Sequence, residues 1–196
     1  MRIALIGDSH MQALGPRLKA LFRGEDVSIV ANPGWSLARF LSEGNLPIAA
    51  NYANLVVFEI GGNDALTDRM TAQTRLATAL SLLRSGAANG ARVVLVGPPT
   101  ADRPDVDVRH QNATSNQASL WRSVGFDNFI DSRDVTAGAP MRDDDVHFTG
   151  AGYDAWARFL HGVLTGTSGA EGSAISVGLL ALLGAGAAYF YFRKKR

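Results

Sequence analysis

The sequence predicts an α/β domain, a three-layer α/β/α sandwich built on a five-stranded parallel sheet. Two patterns point there. Short apolar runs recur at 3–6, 27–31, 55–60 and 93–96, with a weaker one at 126–131, and each is followed by a helix-like stretch. Near-continuous apolar strands alternating with helices belong to a parallel sheet covered on both faces. Turn residues also gather where four of these runs end: Gly7-Asp8-Ser9, Asn32-Pro33-Gly34, Gly61-Gly62-Asn63-Asp64 and Gly97-Pro98-Pro99-Thr100. Ligands of such sheets bind beyond the carboxyl ends of the strands, so these turns mark the expected functional rim.

The clearest helix spans about 67–88. Leu76, Leu80 and Leu83 fall on one face there, with Arg69, Arg75 and Arg84 left for water, and Gly90 ends the stretch before the fourth strand. A last amphipathic stretch, 150–164, carries Trp156, Phe159, Leu160 and Val163 at helical spacing and is expected to pack back on the sheet. Trp121 and Trp156 are expected in the core. The domain is expected to occupy 1–165, followed by a small-residue linker of the flexible kind at 166–173.

Charge and composition exclude several functions. With the four basic residues at the C-terminus and Glu171 set aside, residues 1–165 carry 15 basic and 17 acidic side chains, which is not the balance of a nucleic-acid binder. The absence of cysteine excludes disulfides, a thiol nucleophile and thiolate metal sites. Met1-Arg2 runs straight into the short apolar run at 3–6, which reads as a first strand and not as a signal peptide.

Each motif taken singly has an ordinary explanation. Asp8 and Ser9 are helix N-cap residues, Asn32-Pro33-Gly34 is a turn, and Gly62-Asn63-Asp64 is another turn with a capping residue. Asp143-Asp144-Asp145-Val146-His147 is less bland, because a carboxylate three residues before a histidine can reach Nδ1 of the ring while Nε2 points elsewhere, as in an oriented general base. A solvated acidic loop with a surface histidine is one alternative. A divalent-metal site is another, the weakest for want of further histidines nearby, and no metal or cofactor is expected.

The order of the blocks decides. Gly7-Asp8-Ser9-His10, Gly34, Gly61-Gly62-Asn63-Asp64 and Asp144-Asp145-Val146-His147 follow one another along nearly all of 1–165, and in this the sequence resembles the SGNH (GDSL-like) hydrolase family. The resemblance implies that family's flavodoxin-like fold and a serine esterase. It implies Ser9 as nucleophile, His147 as base and Asp144 as the carboxylate that orients it. The oxyanion donors implied are the backbone N–H groups of Ser9 and Gly34 and the side-chain amide of Asn63. Asp143 or Asp145 stands in for Asp144 if the loop is twisted. His10 departs from the Leu of the family's most familiar form. His10, Trp35 and Asp64 are candidates for lining the substrate cleft, with a place in the first helical turn the favoured reading of His10 and packing the commoner role of an aromatic like Trp35. Surface or satisfied positions are expected for His110 and His161, and the loop from Arg103 to Arg109, with Asp105 and Asp107, either lines the cleft or is only solvated.

From Ala174 to Phe192 there are 19 uncharged residues, closed by Tyr189-Phe190-Tyr191-Phe192 and Arg193-Lys194-Lys195-Arg196. That length spans a bilayer's hydrocarbon core, the aromatic cluster fits an interfacial belt and 193–196 a basic juxtamembrane tail. A single-pass membrane anchor is therefore expected at 174–192, with a small-residue face at 184–188 suited to helix-mediated oligomers. The side of the membrane facing the enzyme stays open, with delivery by a phage or similar particle to a cell envelope as one route. The expected substrate is a small acyl ester, either on an envelope polysaccharide, including O-acetylated glycan or peptidoglycan, or on a lipid. The alternatives are a catalytically silent, membrane-anchored module binding glycan or protein on the same fold, and an anion- or nucleotide-binding domain, which would need a phosphate loop that the sequence lacks.

Overall fold

In the computed structural model, residues 1–167 are described. The linker beyond that point, the apolar stretch 174–192 and the basic tail lie outside the described residues. Among those described, no helix is long and apolar enough to cross a membrane. The chain divides into a unit of Met1–Ala157, which holds the sheet and the candidate site, and a second unit that begins at Arg158, inside the last helix.

Five parallel strands form one sheet: β1 (Arg2–Gly7), β2 (Asp26–Ala31), β3 (Leu55–Glu59), β4 (Arg92–Val96) and β5 (Asn128–Ile130). Their order is β2-β1-β3-β4-β5, so the chain reverses its direction of travel across the sheet on either side of β1. Such a reversal leaves a crevice at the carboxyl ends of the strands that flank it. The helices are α1 (Ser9–Leu21), α2 (Leu37–Glu43), α3 (Leu46–Ala50), α4 (Arg69–Gly86), α5 (Pro104–Val124), α6 (Arg133–Thr136) and α7 (Gly150–Thr165).

Side chains alternate between the two faces of each strand. Ala4, Ile6, Val56, Phe58, Val93 and Leu95 join one core with Phe40 of α2, Ala49 and Ala50 of α3, Leu76, Leu80 and Leu83 of α4, and Leu120 of α5. Ile3, Leu5, Val57 and Val94 are fully buried on the opposite face, which α1 covers with Met11, Leu14 and Leu18. Close packing here depends on missing side chains: a Cβ on Gly15 of α1 would come 2.8 Å from Ile29 of β2, and one on Gly86 of α4 would collide with the Pro47 carbonyl of α3.

The expected parallel α/β architecture is therefore present, with adjustments. The fifth strand is only Asn128–Ile130, the α4 helix starts at Arg69 where Asp68 caps it through Thr71 N–H at 2.9 Å, and two short helices fill the segment between β2 and β3. Trp156 is fully buried as expected. Trp121 packs against the same core but is only half-buried, with the Arg122 guanidinium 4.8 Å from its ring.

Candidate active site

Asp8 follows β1 directly and caps α1, its Oδ1 accepting the His10 N–H at 2.9 Å. This places Ser9 at the first position of α1, where helix geometry leaves the backbone N–H without an intrahelical acceptor. Ser9 is partly exposed, and its Oγ is 3.0 Å from Nε2 of His147.

His147 arrives on a short loop folded back on itself. Met141 and Phe148 pair as an antiparallel bridge, Arg142 N–H donates to the His147 carbonyl at 2.7 Å, and the buried Phe148 anchors the loop. At the tip Asp145 takes a left-handed φ of 56°, a conformation Asp tolerates better than most residues. Its carbonyl accepts the N–H groups of Asp102 and Arg103 at 2.9 and 3.1 Å, tying the loop to the segment after β4. Asp144 turns inward instead: Oδ1 accepts the N–H of Val146 at 2.9 Å and of His147 at 2.8 Å, and Oδ2 meets the ring Nδ1 at 2.8 Å. Partial burial alone would raise the Asp144 carboxyl, but the N–H groups of His147 and Val146 and then the His147 ring outweigh it and hold it at about 2. Of the three consecutive aspartates, Asp144 is the one in contact with the ring.

The Asn32–Trp35 segment is a turn closed by Trp35 N–H to the Asn32 carbonyl at 3.1 Å. Pro33 followed by Gly34 at φ 77° is the pairing a type II turn demands, and the closing bond leaves the Gly34 N–H unused. Asn63 joins this turn to the Ser9 block, its Nδ2 standing 3.1 Å from Asp8 Oδ2 and 3.4 Å from the Trp35 carbonyl. Gly62 makes this approach feasible, since a Cβ there would come 3.0 Å from Asp8 Oδ2 and 3.3 Å from Nε2 of His110.

The other expected cleft residues face elsewhere. His10 does stand in the first turn of α1, but at 1% exposure it is no cleft wall. Its Nδ1 pairs with the Tyr153 hydroxyl at 3.0 Å, and its ring lies 5.1 Å from that of His147, among Phe148, Tyr153 and Trp156. Burial first, then the nearby His110 and His147, holds His10 well below the usual imidazole range, so it supports the His147 ring as a neutral group. Asp64 also points inward, both oxygens accepting the Leu37 N–H at 3.0 and 3.3 Å and fixing the start of α2. Trp35 packs edge-on against Phe40 at 5.0 Å beneath Arg39. His110 is buried and satisfied, its Nδ1 2.7 Å from the Pro99 carbonyl. The segment from Arg103 to Arg109 is not the expected loop but the N-cap and first turns of α5, where Arg103 and Arg109 pair with Asp105 at the surface and Asp107 takes a two-pronged bond from Arg133 at 2.9 and 3.1 Å.

Glu59, at the end of β3, is a site residue that the reading of motifs missed. It is fully buried beside the equally buried Asp8, and burial followed by the Asp8 charge raises its carboxyl well above the usual range. The signal was present as a single acid inside the apolar run Leu55-Val56-Val57-Phe58-Glu59-Ile60.

A family model of GDSL-like lipases and acylhydrolases matches residues 6–155. The chain belongs to this family. It is an ester hydrolase. Among solved structures, the lipase/acylhydrolase from Enterococcus faecalis is similar with a TM-score of 0.67 at 21% identity, over 84% of this chain and 95% of that one. Est24, a carbohydrate acetylesterase from Sinorhizobium meliloti, gives 0.63 at 14% identity over 84% and 98%. The aryl esterase of M. smegmatis gives 0.63 at 15% over 85% and 99%. At these identities the likeness is one of fold. No curated protein matches the chain.

Proposed function

We propose that this GDSL-like hydrolase cleaves small acyl esters through a Ser9 acyl-enzyme, with His147 as general base and Asp144 as its orienting carboxylate. The observation that carries the reading is the continuous chain of contacts from Ser9 Oγ to His147 Nε2 at 3.0 Å and from Nδ1 to Asp144 at 2.8 Å. Nδ1–H donates to Asp144, which leaves Nε2 unprotonated and able to accept the Ser9 proton. Ser9 Oγ then attacks the ester carbonyl. The oxygen that gains charge is met by the N–H groups of Ser9 and Gly34 and by the Asn63 amide, donors fixed before the reaction begins. His147 returns its proton to the departing alkoxide, and water, deprotonated in turn by His147, releases the acid.

The substrate class follows from the openness of the site. Ser9 and His147 are both part-exposed, with side-chain exposures of 29% for His147 and 48% for Asp144, which suits an acyl group displayed on something larger. An O-acetyl group on an envelope glycan or peptidoglycan fits this openness best, with lipid esters as the second class. The uncharged stretch 174–192 and its basic end support a membrane anchor that would hold the enzyme near such substrates.

Hydrolysis of p-nitrophenyl acetate by the full-length protein, compared with Ser9→Ala, tests the chemistry. The variant should lose at least about 10³-fold in kcat. Equal rates would remove Ser9 from the mechanism. Acetate release from O-acetylated glycan, set against fatty-acid release from a lipid ester, ranks the substrates.

A further inference from the structure

Beneath the Ser9 turn two carboxyl groups lie together with no water-exposed surface. Asp8 directly follows β1 and Glu59 ends the adjacent β3, the strands paired in register through Gly7 and Glu59, and both side chains are 0% exposed. Gly7 leaves the space, since a Cβ there would come 2.8 Å from Glu59 Oε2. The two carboxyls act on one another, as does the Asp8 backbone N–H on Glu59, and no other donor among the described residues reaches either Glu59 oxygen. Two carboxylates can only accept, so a bond between them needs a proton. Like charges sharing one dry site ionise singly, and the second proton is held tightly.

The donors say which carboxyl carries the charge. Asp8 receives two N–H groups, His10 on Oδ1 at 2.9 Å and Asn63 Nδ2 on Oδ2 at 3.1 Å, which favour its ionised form. Glu59 receives neither, and the Asp8 backbone N–H is the one donor that favours its ionised form. The proton therefore belongs on Glu59, which donates to Asp8. The other titratable groups acting on the pair are Asp64, His147 and Tyr153, and none is a permanent cation.

The consequence falls on Asn63. A side-chain amide can turn over and exchange its oxygen for its nitrogen, which would aim a carbonyl at the developing oxyanion. Facing Asp8 Oδ2 and the Trp35 carbonyl, both pure acceptors, only the orientation with Nδ2 toward them is favourable. The 3.1 Å bond to Asp8 fixes the amide, and the longer 3.4 Å contact is the one free to yield its N–H to a substrate oxygen.

We propose that Asp8 and Glu59, sharing one proton, are positioning residues for the oxyanion donor: ionised Asp8 holds the Asn63 amide in its donating orientation, and neutral Glu59 holds Asp8. This rests on the reading of Asn63 as an oxyanion donor. Burial of both carboxyls, which raises them above the ordinary range, keeps the proton in place at neutral pH.

Two measurements on the full-length protein test it. Infrared difference spectra at neutral pH should show a protonated-carboxyl stretch in the wild type that is missing in Glu59→Gln. In p-nitrophenyl acetate kinetics, Asp8→Asn, which lets the Asn63 amide turn over, should lose on the order of 10²-fold in kcat with KM little moved. Glu59→Ala should lose about tenfold or more, and Glu59→Gln, whose amide still donates to Asp8, should restore most of that loss. Glu59→Gln should also extend turnover to higher pH, because it has no proton to lose there. The proposal is overturned by a wild-type spectrum without the acid stretch, by a stretch that survives Glu59→Gln, by a Gln variant no better than Ala, or by an unchanged alkaline limb. Should Glu59→Ala fail to fold, the spectra and the alkaline limb of Glu59→Gln still decide. Activity surviving Ser9→Ala would sink the mechanism, yet the infrared stretch would still report whether the pair holds its proton.

Discussion

Asp144 grips His147 at two points of the same residue, its Oδ1 accepting the backbone N–H at 2.8 Å and its Oδ2 facing ring Nδ1 at 2.8 Å. Both oxygens are used, so the carboxylate fixes the imidazole relative to its own backbone as well as its tautomer. The remaining ring nitrogen then points at Ser9 Oγ. Held at about 2, Asp144 keeps its charge as pH falls through the ordinary carboxylate range; the stability it contributes is lost only between about 4 and about 2.

Asp144→Asn tests this grip. An amide can present N–H₂ to Nδ1 and let the ring take the unproductive tautomer, so kcat on p-nitrophenyl acetate should fall on the order of 10³-fold with KM nearly constant. Turnover within about tenfold of the wild type would mean that the backbone contacts alone orient the ring.

Asn63→Ala removes one expected oxyanion donor and the partner of Asp8 Oδ2. A loss on the order of 10² to 10³ in kcat is expected, with substrate binding largely kept. Unchanged turnover would take Asn63 out of the oxyanion site.

The buried acid pair also predicts how stability varies with pH. Folding raises both carboxyls, so between their ordinary range and their raised folded values the native chain binds more protons than the unfolded one. Stability from this source is full below the unfolded values and is lost as pH rises through the folded ones. Glu59→Gln removes one ionisation and should raise Tm relative to the wild type at alkaline pH, with the gap closing toward pH 4. Calorimetry across that range checks it; parallel curves would mean that the pair is not linked to folding.

Strand pattern and motif order made much of this protein legible in advance. The apolar runs that became β1 to β4 needed only local composition, because strands buried on both faces are apolar throughout. Ser9, Asn63 and His147 were candidates in advance because they stand on strand-end turns and on a loop before a helix, where parallel sheets bind their ligands, and because their blocks follow one another in the order of a known family. Asp144 was legible from its spacing, since a contact across three residues is local. The place of His10 in the first turn of α1 was legible, but its burial and that of Asp64 were not, because nothing in their neighbours says whether a residue of the rim faces the crevice or the interior.

The amino-acid order by itself determined the parallel α/β class, because periodicity and turn chemistry act over a few residues, and it put forward Ser9, Asn63, Asp144 and His147 as candidates through the order of their blocks. Only the tertiary structure decided that Asp8 and Glu59 meet in the dark beneath Ser9, that His10 props the His147 ring, and that Asn63 ties two loops together. Those relationships depend on which strands become neighbours and which side chains lose water, quantities set by packing residues up to 143 positions apart, as His10 and Tyr153 are.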